Sequence, residues 1–362
     1  MSVYWLSLAT RTPPQFYSQE ELFRMAGYGD FPSDERRRVQ VLFKGAGIEK
    51  RAMWLEPGDA RPKTDPDDFH HRYLSGIREI APQVAQQALD QAGLKGSDID
   101  FLVFTSCTGY TCPGFSAEIA TLLNVPRDRP TANLLGMGCS ALVPSLERAW
   151  DHLVARPGTR ALVISAEICS ATYWIDHDLE TAMGNALFGD GAAAIVLTSK
   201  KEDIERKARS KEFFAHIEGF KTLREGKYLS DMGFTQKEGR LRVRLAREVP
   251  ERIIPLVLEM VTRLEVPAGS RLAFHPGGKR ILDVLEKALL PQSEQWKEPV
   301  QWSRDVLRSN GNMSSPTAAF VLERSLVNRP VYSGEMGGLV TMGPGLSVEG
   351  MRMRWMNDCD SA

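Results

Sequence analysis

The sequence predicts an α/β protein with helices covering both faces of its sheets. Three observations carry that expectation. Apolar runs of strand length, such as "AAAIVL", alternate with stretches of helical spacing. The order strand, Gly turn, helix, followed later by a Gly-bounded strand pair, occurs in both halves, which hints at internal duplication. The 362 residues suffice for two domain-sized halves.

Taken in order, "MSVYWLSLATRTPPQ" lacks a basic n-region and is too short and broken for a signal peptide or membrane span. "SDERRRVQVLFKGAGIEKR" reads as a basic helix and a Gly turn. "IREIAPQVAQQALDQAGL" repeats apolar residues at helical spacing and ends in Gly, a helix with its C-cap. "DIDFLVFTSCTG" is a buried strand entering a loop, "ATLLNV" is helical and "TANLLG" is a strand. "GMGCSA" then leads into the helix "LVPSLERAWDHL", where Pro144 would loosen the first turn. "TRALVISAEI" and "GAAAIVLT" are two more buried strands. Residues 198–212, "TSKKEDIERKARSKE", read as a solvated connection, dividing the chain into halves 1–212 and 213–362. In the second half "SRLAFHPGGKRILDVLEKAL" is strand, Gly turn and helix, and "GGLVTMGPGLSVEGMRMRW" supplies two closing strands.

Lys plus Arg number 45 and Asp plus Glu 46. That balance gives no overall attraction to nucleic acid or to an anionic membrane, so an anionic ligand needs a local patch. Five cysteines, Cys107, Cys112, Cys139, Cys169 and Cys359, are an odd count, expected as reduced thiols in the cytoplasm.

Chemistry concentrates at three places. Cys139 stands where a strand ends and a helix begins; unpaired N–H groups and partial positive charge there favour thiolate, although a small residue filling a tight turn fits the same pattern. His275 ends the strand "RLAF", at the sheet edge where α/β folds build sites, and a buried His satisfied by backbone is the equal alternative. Asn312 lies in "RSNGNMSSPTAAF", between a Gly turn and a helix start with Ser314 as its cap. Together they form a coherent set: a thiolate attacks, an imidazole activates it, and an amide donates to an oxyanion. His70 and His71 read as surface and His152 as half-buried. "CTGYTC" has no second ligand pair at zinc spacing, so no metal is expected. "FGDGAAA" and "MGPGLS" are tight turns, neither a P-loop nor a dinucleotide fingerprint.

With "GMGCSA", "GNALFGDGAAA", "LAFHPGGKRILDVLE", "GNMSSPT" and "GPGLSVE" in order along nearly the whole chain, the sequence resembles the type III polyketide synthases, the family of chalcone and stilbene synthases and their bacterial relatives. The resemblance implies a thiolase fold, duplicated αβαβα layers, and a homodimer. It implies Cys139 as acyl-accepting nucleophile, His275 and Asn312 as the decarboxylation and oxyanion pair, and Phe188 as gatekeeper. Cys107, Cys169, Thr172, Gly184, Gly233 and Ser314 fall at cavity-lining positions, and Cys112 near a loop that reaches the partner's cavity. Arg38 falls on the coenzyme A phosphates; the other cations of that subsite have no clean match, Lys44 being the nearest. Val243 stands where plant relatives carry a second aromatic gatekeeper, but alternation in "RLRVRL" equally fits an ordinary strand with Arg242 and Arg244 facing water. The implied reaction is decarboxylative condensation of malonyl-CoA onto an acyl-CoA starter, then cyclisation to a pyrone or phenolic product, with no cofactor beyond the coenzyme A thioesters.

Three rivals follow from the same residues. A β-ketoacyl-acyl-carrier-protein synthase III shares the Cys–His–Asn set, but HPGG and GNMSS disfavour it. A papain-like hydrolase predicts a secreted, disulfide-bonded chain with its Cys near the mature N-terminus. A non-catalytic acyl-CoA-binding relative would lack one of the three residues, and all three are present.

Overall fold

The computed structural model describes residues 2–55 and 65–357; Cys359 lies outside the described residues. The N-terminal segment forms β1 (Tyr4–Arg11), a central strand of the sheet. Ser7 interrupts its apolar run and is still buried, because its hydroxyl donates to the Ala88 carbonyl at 2.7 Å. The short strands β2 (Phe16–Ser18) and β3 (Lys50–Ala52) pair around α1 (Gln19–Met25) and the basic helix α2 (Ser33–Gly45). α3 (Pro66–Ala92) starts well ahead of the "IREIAP" pattern, capped by the Asp65 carboxylate, and stops at Gly93 in left-handed backbone. His70 and His71 are exposed on it, as expected.

The first half continues through β4 (Phe101–Ser106), α4 (Phe115–Leu122), β5 (Thr131–Leu135), α5 (Leu142–Ala155), β6 (Arg160–Glu167), α6 (Leu179–Leu187) and β7 (Gly191–Thr198). Pro144 falls in the first turn of α5, where backbone N–H groups have no intrahelical acceptor, so it removes no helix bond. The charged stretch after β7 is no solvated connection. It is α7 (Lys201–Arg209), with Asp203 and Lys207 buried: Asp203 accepts from Arg160 Nε at 2.7 Å, and Lys207 donates to the Gln91 carbonyl at 3.1 Å. Satisfied charges let a highly charged segment dock on the body of the protein.

The second half comprises β8 (Phe214–Arg224), the hairpin β9 (Met232–Lys237) and β10 (Arg240–Leu245), α8 (Val249–Leu264), β11 (Arg271–Phe274), α9 (Lys279–Leu289), α10 (Lys297–Asn310), α11 (Thr317–Asn328), β12 (Met336–Gly343) and β13 (Ser347–Met356). Nine strands form one sheet in the order β11-β12-β13-β8-β1-β7-β6-β4-β5. Outward from β1 the relations are antiparallel to β7, antiparallel to β6 and parallel to β4; outward from β8 they are antiparallel to β13, antiparallel to β12 and parallel to β11. The two halves therefore repeat one plan about the β1–β8 junction. α3 covers the outer face of the first half and α8 with α9 that of the second, while α5 and α11 share one apolar core between them. These are the expected duplicated αβαβα layers of a thiolase fold. Among the described residues, no helix is long and apolar enough to cross a membrane.

Candidate active site

β5 ends at Leu135, and Gly136 and Gly138, at φ 78° and 55°, turn the chain into the single 3₁₀ turn Gly138–Ser140. Cys139 sits on that turn, just ahead of α5. A Cβ on Gly138 would lie 2.7 Å from Pro344 Cδ, and one on Gly343 2.6 Å from Ser140 Oγ. The closing "GPGL" turn thus packs directly on the turn that carries the thiol, leaving room for glycine alone.

His275 follows β11, anchored by its N–H to the Val340 carbonyl at 2.8 Å, and is 1% exposed. Neither ring nitrogen has a hydrogen-bond partner among the described residues, so backbone does not satisfy this buried imidazole. Asn312 Oδ1 accepts from the Ser314 N–H at 2.8 Å and Nδ2 donates to the Gly277 carbonyl at 3.1 Å, which leaves its second amide hydrogen to meet the Cys139 sulfur. Ser314 is not the cap of α11, whose N-cap is Pro316; it stands at φ 59° with its hydroxyl 3.5 Å from Cys139 Sγ and 3.2 Å from Cys107 Sγ.

Cys139, His275 and Asn312 open on one largely apolar cavity of about 310 Å³. Phe188, Cys169, Thr172, Gly233, Val243 and Ser314 line it as well. Gly184 sits beneath that wall: a Cβ there would be 3.0 Å from Val243 Cγ2. Cys107 instead lines a second cavity of about 510 Å³, which shares Thr172 with the first. Cys112 is exposed on the surface. Arg38 and Lys44 do not line either cavity, although their helix contributes Val41 and Leu42 to the mouth of the first. The cations at that mouth are Arg244, Arg247, Lys279 and Arg280. Arg242, expected to face water, is half-buried on Asp176 and Asp178. His152 stacks on Phe101 at 4.3 Å, away from the site.

Two features escape the sequence reading. Phe234, the cross-strand partner of Val243, also lines the cavity, so the hairpin presents an aromatic ring beside the valine. Glu167 lies fully buried behind the thiols, its Oε2 accepting from the N–H groups of Cys107 and Thr108 at 2.9 and 3.1 Å, its Oε1 from Ser315 Oγ at 2.6 Å. Strand alternation at "RLRVRL" could have drawn attention to the facing "GFTQK"; a glutamate ending a buried strand carries no comparable signal.

Burial pushes Cys139 up to about 11 and His275 down to about 3. Both shifts oppose an isolated charge. A proton passing from thiol to imidazole creates opposite charges together, and their attraction in a low-dielectric cavity works against both shifts. Cys107 and Cys169 are likewise held well above the usual thiol range, by burial first and then by Glu167 and Asp190. Hydrogen bonds with Ser314 and Asn312 work against the upward shift of Cys139.

The model of FAE1/type III polyketide synthase-like proteins matches residues 60–266 of the chain. The chain belongs to the type III polyketide synthase family. The remainder of this polyketide synthase agrees: the chalcone and stilbene synthase C-terminal domain matches residues 229–357. A 3,5-dihydroxyphenylacetyl-CoA synthase of Streptomyces toyocaensis is 29% identical, over 94% of this chain and 86% of its own. A 1,3,6,8-tetrahydroxynaphthalene synthase of Streptomyces peucetius subsp. caesius is 29% identical, over 96% and 91%. The crystal structure of 1,3,6,8-tetrahydroxynaphthalene synthase from Streptomyces coelicolor superposes with a TM-score of 0.86 at 24% identity, covering 98% of this chain and 99% of the other.

Proposed function

We propose that this polyketide synthase joins malonyl-CoA units to an acyl-CoA starter held on Cys139, and then releases a cyclised pyrone or phenolic product. The carrying observation is a buried imidazole whose two nitrogens have no partner among the described residues, in the same apolar cavity as a thiol and an amide. Cys139 Sγ passes its proton to His275 and attacks the starter thioester; the carbon–sulfur bond breaks, and coenzyme A leaves with that proton. Malonyl-CoA then enters with its thioester oxygen toward His275 and Asn312. Their N–H groups stabilise the enolate formed as the bond to the carboxylate breaks and carbon dioxide departs. Phe188 offers the carboxylate no polar contact, which favours its loss. The enolate carbon attacks the acyl-cysteine, forming the new carbon–carbon bond and freeing the thiolate. Incubation with malonyl-CoA and a panel of aliphatic and aromatic acyl-CoAs, with mass analysis, tests this; products lacking added C2 units would overturn it.

We also propose a cytoplasmic homodimer that uses coenzyme A thioesters with no further cofactor, metal, nucleic acid or membrane insertion. Exposed Tyr110, Leu122 and Leu135 beside the edge strand β5 suit a subunit contact. The chain divides, on this reading, into 1–212 with the nucleophile and 213–362 with His275 and Asn312.

The phosphates of coenzyme A belong, in this proposal, at the mouth cations. Arg247 has no ion-pair partner among the described residues, whereas Lys279 and Arg280 pair with Asp283 and Glu251. A charge-assisted hydrogen bond contributes about 1.5–3 kcal/mol, so Arg247→Glu should raise the KM for malonyl-CoA by roughly tenfold or more with turnover little changed. A rise confined to Arg38→Glu would return the phosphates to α2.

Val243 controls starter length in the same reading. Val243→Phe would fill space beside Phe234 and shift preference toward short acyl-CoAs. Three methylenes at about 0.8 kcal/mol each set an upper bound near fifty-fold in affinity, reduced by the entropy of ordering the chain. A chain-length profile that overlays the wild type would exclude Val243 from the starter's path.

A further inference from the structure

Arg51 is a fully buried arginine that the chemistry above does not use. It leaves β3 and reaches the C-terminal end of α6, where its guanidinium donates to the Asn185 carbonyl and, at 2.7 Å, to the Phe188 carbonyl. Those carbonyls end a helix, where unpaired C=O groups and the helix dipole favour a cation. Among the described residues no carboxylate forms an ion pair with the guanidinium; Asp190 acts on it only at a distance. Burial lowers its pKa to about 10, so it stays charged at neutral pH.

The stem of Arg51 also sits where two chain segments meet. The Asn312 N–H donates to the Leu187 carbonyl, and the Gly189 N–H donates to the Asn312 carbonyl, both at 3.0 Å. Phe188 and Asn312 thus face each other as a parallel bridge. A Cβ on Gly311 would lie 3.2 Å from Arg51 Cδ and 3.0 Å from the Leu187 carbonyl; one on Gly189 would lie 3.1 Å from Arg51 Cβ and 2.7 Å from the Asn310 carbonyl. The arginine is packed against both glycines, and its charged end holds the carbonyl of the gatekeeper itself.

We propose that Arg51 is a positioning residue that locks the Phe188 segment to the Asn312 segment, and so sets the ring and the amide on opposite sides of the malonyl group. This rests on the roles given to Phe188 and Asn312 under Proposed function. Arg51 touches no substrate; it acts through the backbone of the two residues that do. Misplacing a catalytic donor by about 1 Å can lower turnover ~10²-fold.

Malonyl-CoA decarboxylation is the readout, with kcat and KM measured separately and melting followed by circular dichroism. Arg51→Met should lower kcat by roughly 10- to 100-fold and leave KM nearly unchanged, because Arg51 is fully buried and is not among the residues that line the cavity. Arg51→Lys, which keeps the charge but can reach one carbonyl at a time, should recover part of the loss. Combined with Asn312→Ala, the Arg51→Met loss should be much smaller than in the wild-type background, since both act through one amide. A folded Arg51→Met with wild-type kcat, or losses that multiply in the double variant, would overturn the proposal. Should Arg51→Met not fold, Arg51→Lys carries the same test, and wild-type kcat in that variant overturns it. Wild-type decarboxylation by Asn312→Ala alone would instead overturn the underlying assignment of Asn312, so the two failures are distinguishable.

Discussion

Cys139→Ala is expected to abolish acyl-enzyme formation and to lower condensation by ~10⁴-fold or more, the scale of removing a nucleophile. Part of the malonyl-CoA decarboxylation should survive, because the imidazole and amide that receive the enolate remain. The expectation has an electrostatic basis. Cys107 shares the Ser314 hydroxyl with Cys139, yet burial, and after it Glu167, which accepts from the Cys107 N–H, hold its thiol well up. Cys169 is buried beside the same negative charges. Burial opposes the thiolate at both, whereas at Cys139 hydrogen bonds with Ser314 and Asn312 work against that shift. Intact mass after incubation with a starter acyl-CoA, followed by peptide mapping, checks this. An adduct on Cys107 or Cys169 would transfer the role.

Asn312→Ala should lower decarboxylation by ~10²–10³-fold, the usual effect of deleting one preorganised oxyanion donor. His275→Ala should lose decarboxylation and also slow acylation of Cys139, since the thiol then lacks a proton acceptor. The two variants differ in a further way. Asn312 Oδ1 satisfies the Ser314 N–H, so its removal leaves that group unpaired, a penalty of about 1–3 kcal/mol in stability. His275 has no ring partner among the described residues to orphan. A lower melting temperature is therefore expected for Asn312→Ala beyond that of His275→Ala. Wild-type decarboxylation by both variants would remove the oxyanion role.

Much of the architecture was legible because its signals are local. "GAAAIVLT" and "TRALVISAEI" are apolar at every position, and strands buried on both faces need that. Glycine spacing marked the turns around Cys139 and His275. β1 was missed because Ser7 breaks its pattern, and the acceptor for that hydroxyl comes from α3, far along the chain. α7 was misread for a related reason: its charges find buried partners in Arg160 and the end of α3, which composition does not reveal.

The site divides in the same way. Sequence by itself determined the three chemical groups, because thiol, imidazole and amide are set by residue identity and their motifs by glycine-dependent turns. It also determined the family and hence the layered fold. Tertiary structure decided how deeply each thiol is buried and what surrounds it, which cations stand at the cavity mouth, that Phe234 faces the cavity beside Val243, and that Arg51 lies under the gatekeeper. Each of these depends on distances between segments remote in sequence. Burial, charge proximity and close packing are properties of the folded neighbourhood, and no single residue encodes them.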